Sequence, residues 1–256
     1  MSRLWRLIRS GRGEPAWNMA VDEALVTVFA RGGVPPALRL YTWHPPALSL
    51  GYFQGAGSVR REVLEKLGIA LVRRVTGGRA VLHCGDLTYS IVARAGRDTP
   101  EELSASYRYL CSGLLHALSA LGIEADPGSD KTGRSSPASC FAVAAPSDIT
   151  WKSRKFVGSA QKRYGSAILQ HGSILIKPQE KLLAEIFADD NGNFNQPGEK
   201  VTCLEGILER EVDLDEVSEV LIGGFEHALN IKLVACGLNP EEHELAESLV
   251  DKYRQV

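Results

Sequence analysis

Three short runs of this chain hold the residue types that chemistry requires. The first is Arg73-Arg74-Val75-Thr76-Gly77-Gly78-Arg79-Ala80-Val81-Leu82-His83, two arginines ahead of paired glycines. Residues without a Cβ let backbone N–H groups approach a ligand closely, and Arg73 or Arg74 has the charge to pair with a phosphate or a carboxylate. The same letters also spell a Gly-Gly hairpin turn flanked by solvated arginines. The second run is Ser139-Cys140-Phe141, followed by Lys155-Phe156-Val157-Gly158-Ser159-Ala160-Gln161. A cysteine between a polar loop and a strand is either open to reaction or simply a small buried apolar residue. Lys155, close to Lys152 and Arg154, reads by itself as a solvated edge-strand lysine. The third run, Gln170-His171-Gly172-Ser173, sets polar side chains inside an apolar strand, where they need partners or a pocket. His171 is a satisfied core histidine or a catalytic one, and His227 and His243 on the terminal helices lean further towards the structural role.

The elements that carry these runs follow from periodicity and punctuation. Residues 4–8 read as a first strand, and 15–31 as a helix with an apolar face, stopped by Gly32-Gly33. Alternation predicts a strand over 38–43, broken by His44-Pro45-Pro46. A short helix over 58–67 precedes strands at 69–73, 80–83 and 87–93, which the glycine turn would tie into one compact sheet. Thr99, Pro100 and Glu102 form a capping-box signature for a helix whose stripe runs Leu103, Tyr107, Leu110, Leu114, Leu118 and Leu121, and which carries Cys111 and His116 as inert core. Residues 126–137 and 189–199 read as polar loops. A hairpin around Tyr164-Gly165 joins strands over 156–160 and 167–176. Beyond Pro178 the pattern turns helical, over 182–187 and 214–229, and Asn239-Pro240 with Glu242 caps a last helix. The tail, about 178–256, is expected to be a helical annex to a single domain spanning 1–256.

Composition bounds the function. With 29 Lys and Arg against 31 Asp and Glu, the 256-residue chain has net charge -2 and lacks the positive excess that phosphate-backbone binding leaves, so nucleic acid is not expected as a partner. Five scattered cysteines, with no CxxC pair, predict neither a disulfide scaffold nor a zinc site. No apolar stretch approaches the roughly 20 residues that span a bilayer, so no membrane partner is expected and the protein is read as cytoplasmic.

Together the three runs, with Asp86-Leu87-Thr88-Tyr89-Ser90, resemble the biotin/lipoate ligase and octanoyltransferase family. The match extends to Asn18-Met19-Ala20 and Asp22-Glu23-Ala24-Leu25 near the start and to Gly224-Phe225-Glu226 near the end, so it covers nearly the whole chain. The fold this implies is α+β, a mixed sheet flanked by helices, with a ligand tunnel beside the glycine turn. Within the family the chain is most similar to the cysteine-dependent octanoyltransferase branch, because Cys140 stands where that branch carries its acyl-accepting cysteine. The turn also reads Gly-Gly-Arg where ATP-dependent ligases usually have a third glycine.

The resemblance implies transfer of an octanoyl group from octanoyl-acyl carrier protein to a lysine of the glycine cleavage H protein or another lipoyl domain. Cys140 would be the nucleophile, with Lys155 lowering its pKa or holding the acyl carbonyl. Arg74, Gly77, Gly78, Arg79, His83, Gly158, Ser159, Ala160, His171 and Gly172 would bind the substrate. Thioester exchange followed by amide formation needs no ATP, so no cofactor and no metal are expected. An ammonium about 4 Å from a thiolate is worth on the order of 4 kcal/mol at an effective dielectric near 20, ample to favour the ionised sulfur. Burying the octanoyl tail contributes roughly 5 to 6 kcal/mol. Three other readings remain: an ATP- and Mg-dependent lipoate ligase using Lys155, an amidotransferase between lipoyl-type carriers using the same cysteine, and a non-catalytic module that binds carrier domains, which explains the fold but leaves Cys140 and Lys155 without purpose.

Overall fold

The computed structural model describes residues 3–57, 59–127, 148–187 and 201–254. In chain order the elements are β1 (Arg3–Gly13), α1 (Pro15–Arg31), β2 (Ala37–Trp43), β3 (Ala47–Leu50), α2 (Arg61–Leu67), β4 (Ala70–Arg73), β5 (Val81–His83), β6 (Asp86–Arg94) and α3 (Leu103–Ala120). They continue with β7 (Asp126–Pro127), β8 (Ile149–Trp151), β9 (Arg154–Tyr164), β10 (Ala167–Leu175), α4 (Glu180–Phe187), α5 (Leu204–Leu208), α6 (Leu214–Leu229), β11 (Ile231–Ala235) and α7 (Pro240–Arg254). Eight strands form one mixed sheet in the order β11-β1-β2-β6-β10-β9-β8-β7, and three form a second in the order β4-β3-β5. The expected mixed sheet with flanking helices is what the chain adopts.

One face of the large sheet packs on α3 and α6 through Leu87, Tyr89, Leu110, Leu114, Leu221 and Phe225. The other packs on α1, which α7 covers in turn through Ala246 and Tyr253. Enclosed on both sides, α1 is buried nearly all round rather than along one stripe. The α3–α6 crossing is close because glycines face it: a Cβ on Gly113 would lie 2.2 Å from the Phe225 ring, and one on Gly224 would lie 2.6 Å from the Gly113 carbonyl oxygen. At α7 the expected capping box is present, with Asn239 Oδ1 accepting from the Glu242 amide at 2.8 Å and Glu242 Oε2 accepting from the Asn239 amide at 2.9 Å.

Four expectations are corrected. The strands after α2 do not form one sheet, because β3 lies between β4 and β5 and β6 belongs to the large sheet. Residues 77–78 are therefore not a hairpin turn but a loop crossing from one side of β3 to the other. β3 is only four residues, all buried, and so shows no alternation by which to recognise it. The tail is not purely helical: Asn230, left-handed at φ 50°, ends α6 and feeds β11 directly into a parallel pairing with β1. Finally, α3 begins at Leu103 with Glu102 as N-cap, not at Thr99. The Thr99 carbonyl accepts from the Gly96 amide at 2.9 Å and Asp98 Oδ2 accepts from the Arg94 amide at 2.9 Å, so those residues close the preceding turn instead.

Candidate active site

A cavity of about 910 Å³ opens between α3, the centre of the large sheet and the 77–78 loop. Nine of the ten expected binding residues line it: Arg74, Gly77, Gly78 and His83 on one wall, Gly158, Ser159, Ala160, His171 and Gly172 on the other. The second wall follows from hairpin register, because β9 and β10 pair with His171 opposite Ala160 and Gly172 opposite Ser159. Gly172 has no room for a side chain, since a Cβ would lie 2.5 Å from the Gly158 carbonyl oxygen and 2.7 Å from the Tyr89 ring. Gly77 differs: a Cβ there would meet nothing within 4 Å and would project into open space.

Arg74 is buried rather than solvated. Its guanidinium donates to the carbonyls of Ser49 at 2.9 Å, Gly77 at 2.9 Å and Arg79 at 2.6 Å, fastening the glycine loop to β3. Arg73 makes a parallel set of bonds to the carbonyls of Gly51, Tyr52 and Gln54. Arg79 itself is not in the cavity lining and meets the site through that carbonyl.

Two carboxylate–imidazole pairs flank the loop. Asp22, on α1, accepts from His171 Nδ1 at 2.9 Å and Tyr41 Oη at 2.9 Å on one oxygen, and from Arg39 at 2.8 Å and Ser90 at 2.8 Å on the other. Burial works to lift this carboxyl, yet the His171 hydrogen bond, the Arg39 charge and Ser90 outweigh it and hold it below the ordinary carboxylate value. The far nitrogen of His171 meets Thr76 Oγ1 at 2.6 Å. Asp86, opening β6, binds His83 Nδ1 at 2.8 Å, and the same oxygen accepts from Ser173 at 2.6 Å and Thr88 at 3.1 Å. His83 Nε2 meets Ser49 Oγ at 2.9 Å, and the ring stacks on Trp43 with centroids 4.0 Å apart.

Lys155 is buried, not a solvated edge residue, and its Nζ lies 2.8 Å from Asp148 Oδ2. Asp148 is in the cavity lining, so Lys155 stands one side chain behind the wall. Cys140 lies outside the described residues, as do 128–137 of the first expected loop and all of 189–199. Of the described cysteines only Cys111 lines the cavity, and burial pushes its thiol up to about 12. It belongs to the core, as expected, and also forms part of the cavity wall. Burial also raises the thiols of half-buried Cys84 and of Cys203. Among the described residues no cluster of three or more His, Cys, Asp or Glu side chains could hold a metal, and no helix is long and apolar enough to cross a membrane.

Sequence reasoning missed several residues of the wall and, behind it, the two aspartates that hold its imidazoles. Ser49 is on the unrecognised β3; Trp43 and Tyr41 read only as strand alternation; Asp22 and Asp86 stood within recognised motifs without a role. The helical spacing did hold a signal for α3: Leu103, Tyr107, Cys111 and Leu115, four apart, line the cavity as one ridge.

The lipoyl protein ligase A/B catalytic domain matches residues 14–226, and the chain belongs to that family as an acyltransferase. A curated relative from Kyrpidia tusciae, Octanoyltransferase LipM, is 39% identical over 97% of this chain and 96% of its own length. A T. acidophilum protein of lipoate ligase type, solved with bound lipoic acid, superimposes with TM-score 0.80 at 29% identity, covering 98% of this chain and 96% of that one. A lipoate-protein ligase A bound with ATP gives TM-score 0.81 at 28% identity, covering 100% and 97%.

Proposed function

We propose that this enzyme transfers an octanoyl group from octanoyl-acyl carrier protein, through a thioester on Cys140, to a lysine of the glycine cleavage H protein or another lipoyl domain. The observation that carries the reading is the state of the thiols. Burial raises the thiol of Cys111, the one described cysteine in the cavity wall, and so disfavours its thiolate; the reading therefore gives the nucleophilic sulfur to another cysteine. Cys140 supplies it. Likeness over almost the full length to relatives named octanoyltransferase supports the acyl group.

The chemistry proceeds in two exchanges. Cys140 Sγ, as thiolate, attacks the donor's thioester carbon, and the carrier's sulfur leaves. The acceptor amine then attacks the new thioester, and Sγ leaves as the amide forms. Lys155 is suited to favour the thiolate by charge, with Asp148 holding its ammonium in place. Backbone N–H groups around Gly77, Gly78 or Gly158 receive the developing oxyanion. A thioester already contains the activation that an adenylate would supply, so neither ATP nor a metal enters either step.

The ligase reading is kept alive by the neighbour solved with ATP, and a donor exchange separates the two. With octanoyl-acyl carrier protein and no nucleotide, the H protein should be octanoylated, and Cys140→Ala should abolish this. Free octanoate or lipoate with ATP and Mg should give little product. ATP-dependent lipoylation that survives Cys140→Ala would overturn the transferase in favour of the ligase.

A further inference from the structure

The two imidazoles of the cavity wall are built alike but end differently. Each has Nδ1 on a carboxylate, which places the neutral ring's proton on Nδ1 and leaves Nε2 as the acceptor. The Nε2 of His171 accepts from Thr76 Oγ1, and Thr76 is buried and absent from the cavity lining. The Nε2 of His83 accepts from Ser49 Oγ, and Ser49 is part of the lining. Arg74 Nη1, 3.3 Å from Ser49 Oγ, donates to that oxygen and so turns the hydroxyl hydrogen towards His83.

Their carboxylates differ too. Asp22 already has a cation, Arg39, at 2.8 Å. Asp86 is bonded to His83, Ser173 and Thr88, with no Arg or Lys among its described ion pairs. Among the described residues, a positive charge formed on His83 therefore faces an anion that makes no ion pair with an Arg or Lys, and the face of Trp43 beneath the ring receives it as well. Ser49, His83 and Asp86 thus have the connectivity of a hydroxyl–imidazole–carboxylate triad opening onto the acyl cavity.

We infer that Ser49, His83 and Asp86 form a proton relay that deprotonates the acceptor amine in the second exchange; this rests on the transferase reading above. The lysine arrives as an ammonium with three protons. One passes through Ser49 Oγ to His83 Nε2, as Ser49 hands its own hydrogen to the ring, and the freed lone pair attacks the acyl carbon. As the C–S bond breaks, a second proton goes to Cys140 Sγ. The third stays as the amide N–H, and the imidazolium releases its proton to water.

The test separates the two half-reactions by rapid quench and intact mass, using octanoyl-acyl carrier protein as donor. The acyl-enzyme is then discharged to a lipoyl domain or to hydroxylamine, an amine unprotonated at neutral pH that needs no base. In His83→Gln, the rate of discharge to hydroxylamine relative to discharge to the lipoyl-domain lysine should rise on the order of 100-fold over wild type, whatever the variant does to acyl-enzyme formation. Ser49→Ala, a smaller change in a buried strand, should shift that ratio the same way. If both acceptors slow equally in both variants, or neither slows, the relay is wrong while the acyl-enzyme stands. If the wild type forms no acyl-enzyme, the transferase reading falls and the relay with it.

Discussion

Asp22–His171 and Asp86–His83 stand on either side of one glycine loop, and comparing them separates holding from reacting. The Asp22 pair joins α1, β2, β6 and β10: Arg39 also donates to the Asn18 carbonyl at 3.0 Å and to Asn18 Oδ1 at 2.7 Å, so every strong donor and acceptor is matched inside the protein. The Asp86 pair serves residues of β3, β5, β6 and β10 and ends on a hydroxyl at the cavity. The first pair is buried with a counter-ion and holds the fold together; the second has no Arg or Lys ion pair among the described residues, and it is the pair the proposed relay uses.

Removing the carboxylates should expose the difference most strongly. Asp22→Ala leaves the Arg39 guanidinium uncompensated in a fully buried site and should cost about 3 to 5 kcal/mol in urea unfolding. Asp86→Ala strands only neutral donors and should cost about 1 to 3 kcal/mol. Equal losses would erase the distinction. The pair also predicts a pH signature. Because the folded Asp22 carboxyl is held below its ordinary value of 3.8, its contribution is fully present above that pH and is lost as pH falls through the depressed value. An Asp22→Asn variant should lack this acid limb, and an unchanged acid limb in that variant would contradict it.

The glycines of the two walls give a smaller contrast. Gly172→Ala forces a Cβ against the Gly158 carbonyl and Tyr89 and should lower the unfolding midpoint by several degrees, with stability and transfer lost together. Gly77→Ala meets no protein atom, so thermal unfolding should change little while octanoyl transfer falls, its methyl group standing where the ligand approaches. Normal transfer in Gly77→Ala would mean that the loop does not touch substrate.

Much of this arrangement was legible in the sequence. The β9–β10 hairpin around Tyr164-Gly165 was legible, and with Gly165 at φ 62° in its turn its antiparallel register sets residues 158–160 against 171–173. The α1 and α7 caps were equally plain. What stayed hidden was long-range pairing of short segments. β3 has four buried residues with no alternation, and β11 has five between two helices, so neither offered a pattern; with β3 went Ser49 and the true path of the glycine loop. Asp22 and Asp86 could not be assigned partners 149 and 87 residues away without the fold that brings them together. Arg74 and Lys155 read as solvated because their partners are carbonyls and an aspartate that sequence spacing does not reveal.

The central claim is that the acyl group travels on one particular sulfur, and peptide mapping of the octanoylated enzyme tests it most directly. After brief mixing with octanoyl-acyl carrier protein without nucleotide, a single octanoyl adduct, labile to hydroxylamine, should map to Cys140 and be absent from Cys140→Ala. Cys111, with its thiol near 12, and half-buried Cys84 should carry none. An adduct that persists in Cys140→Ala and maps to Cys84 or Cys111, or no adduct in an enzyme that still octanoylates its acceptor, would contradict the account.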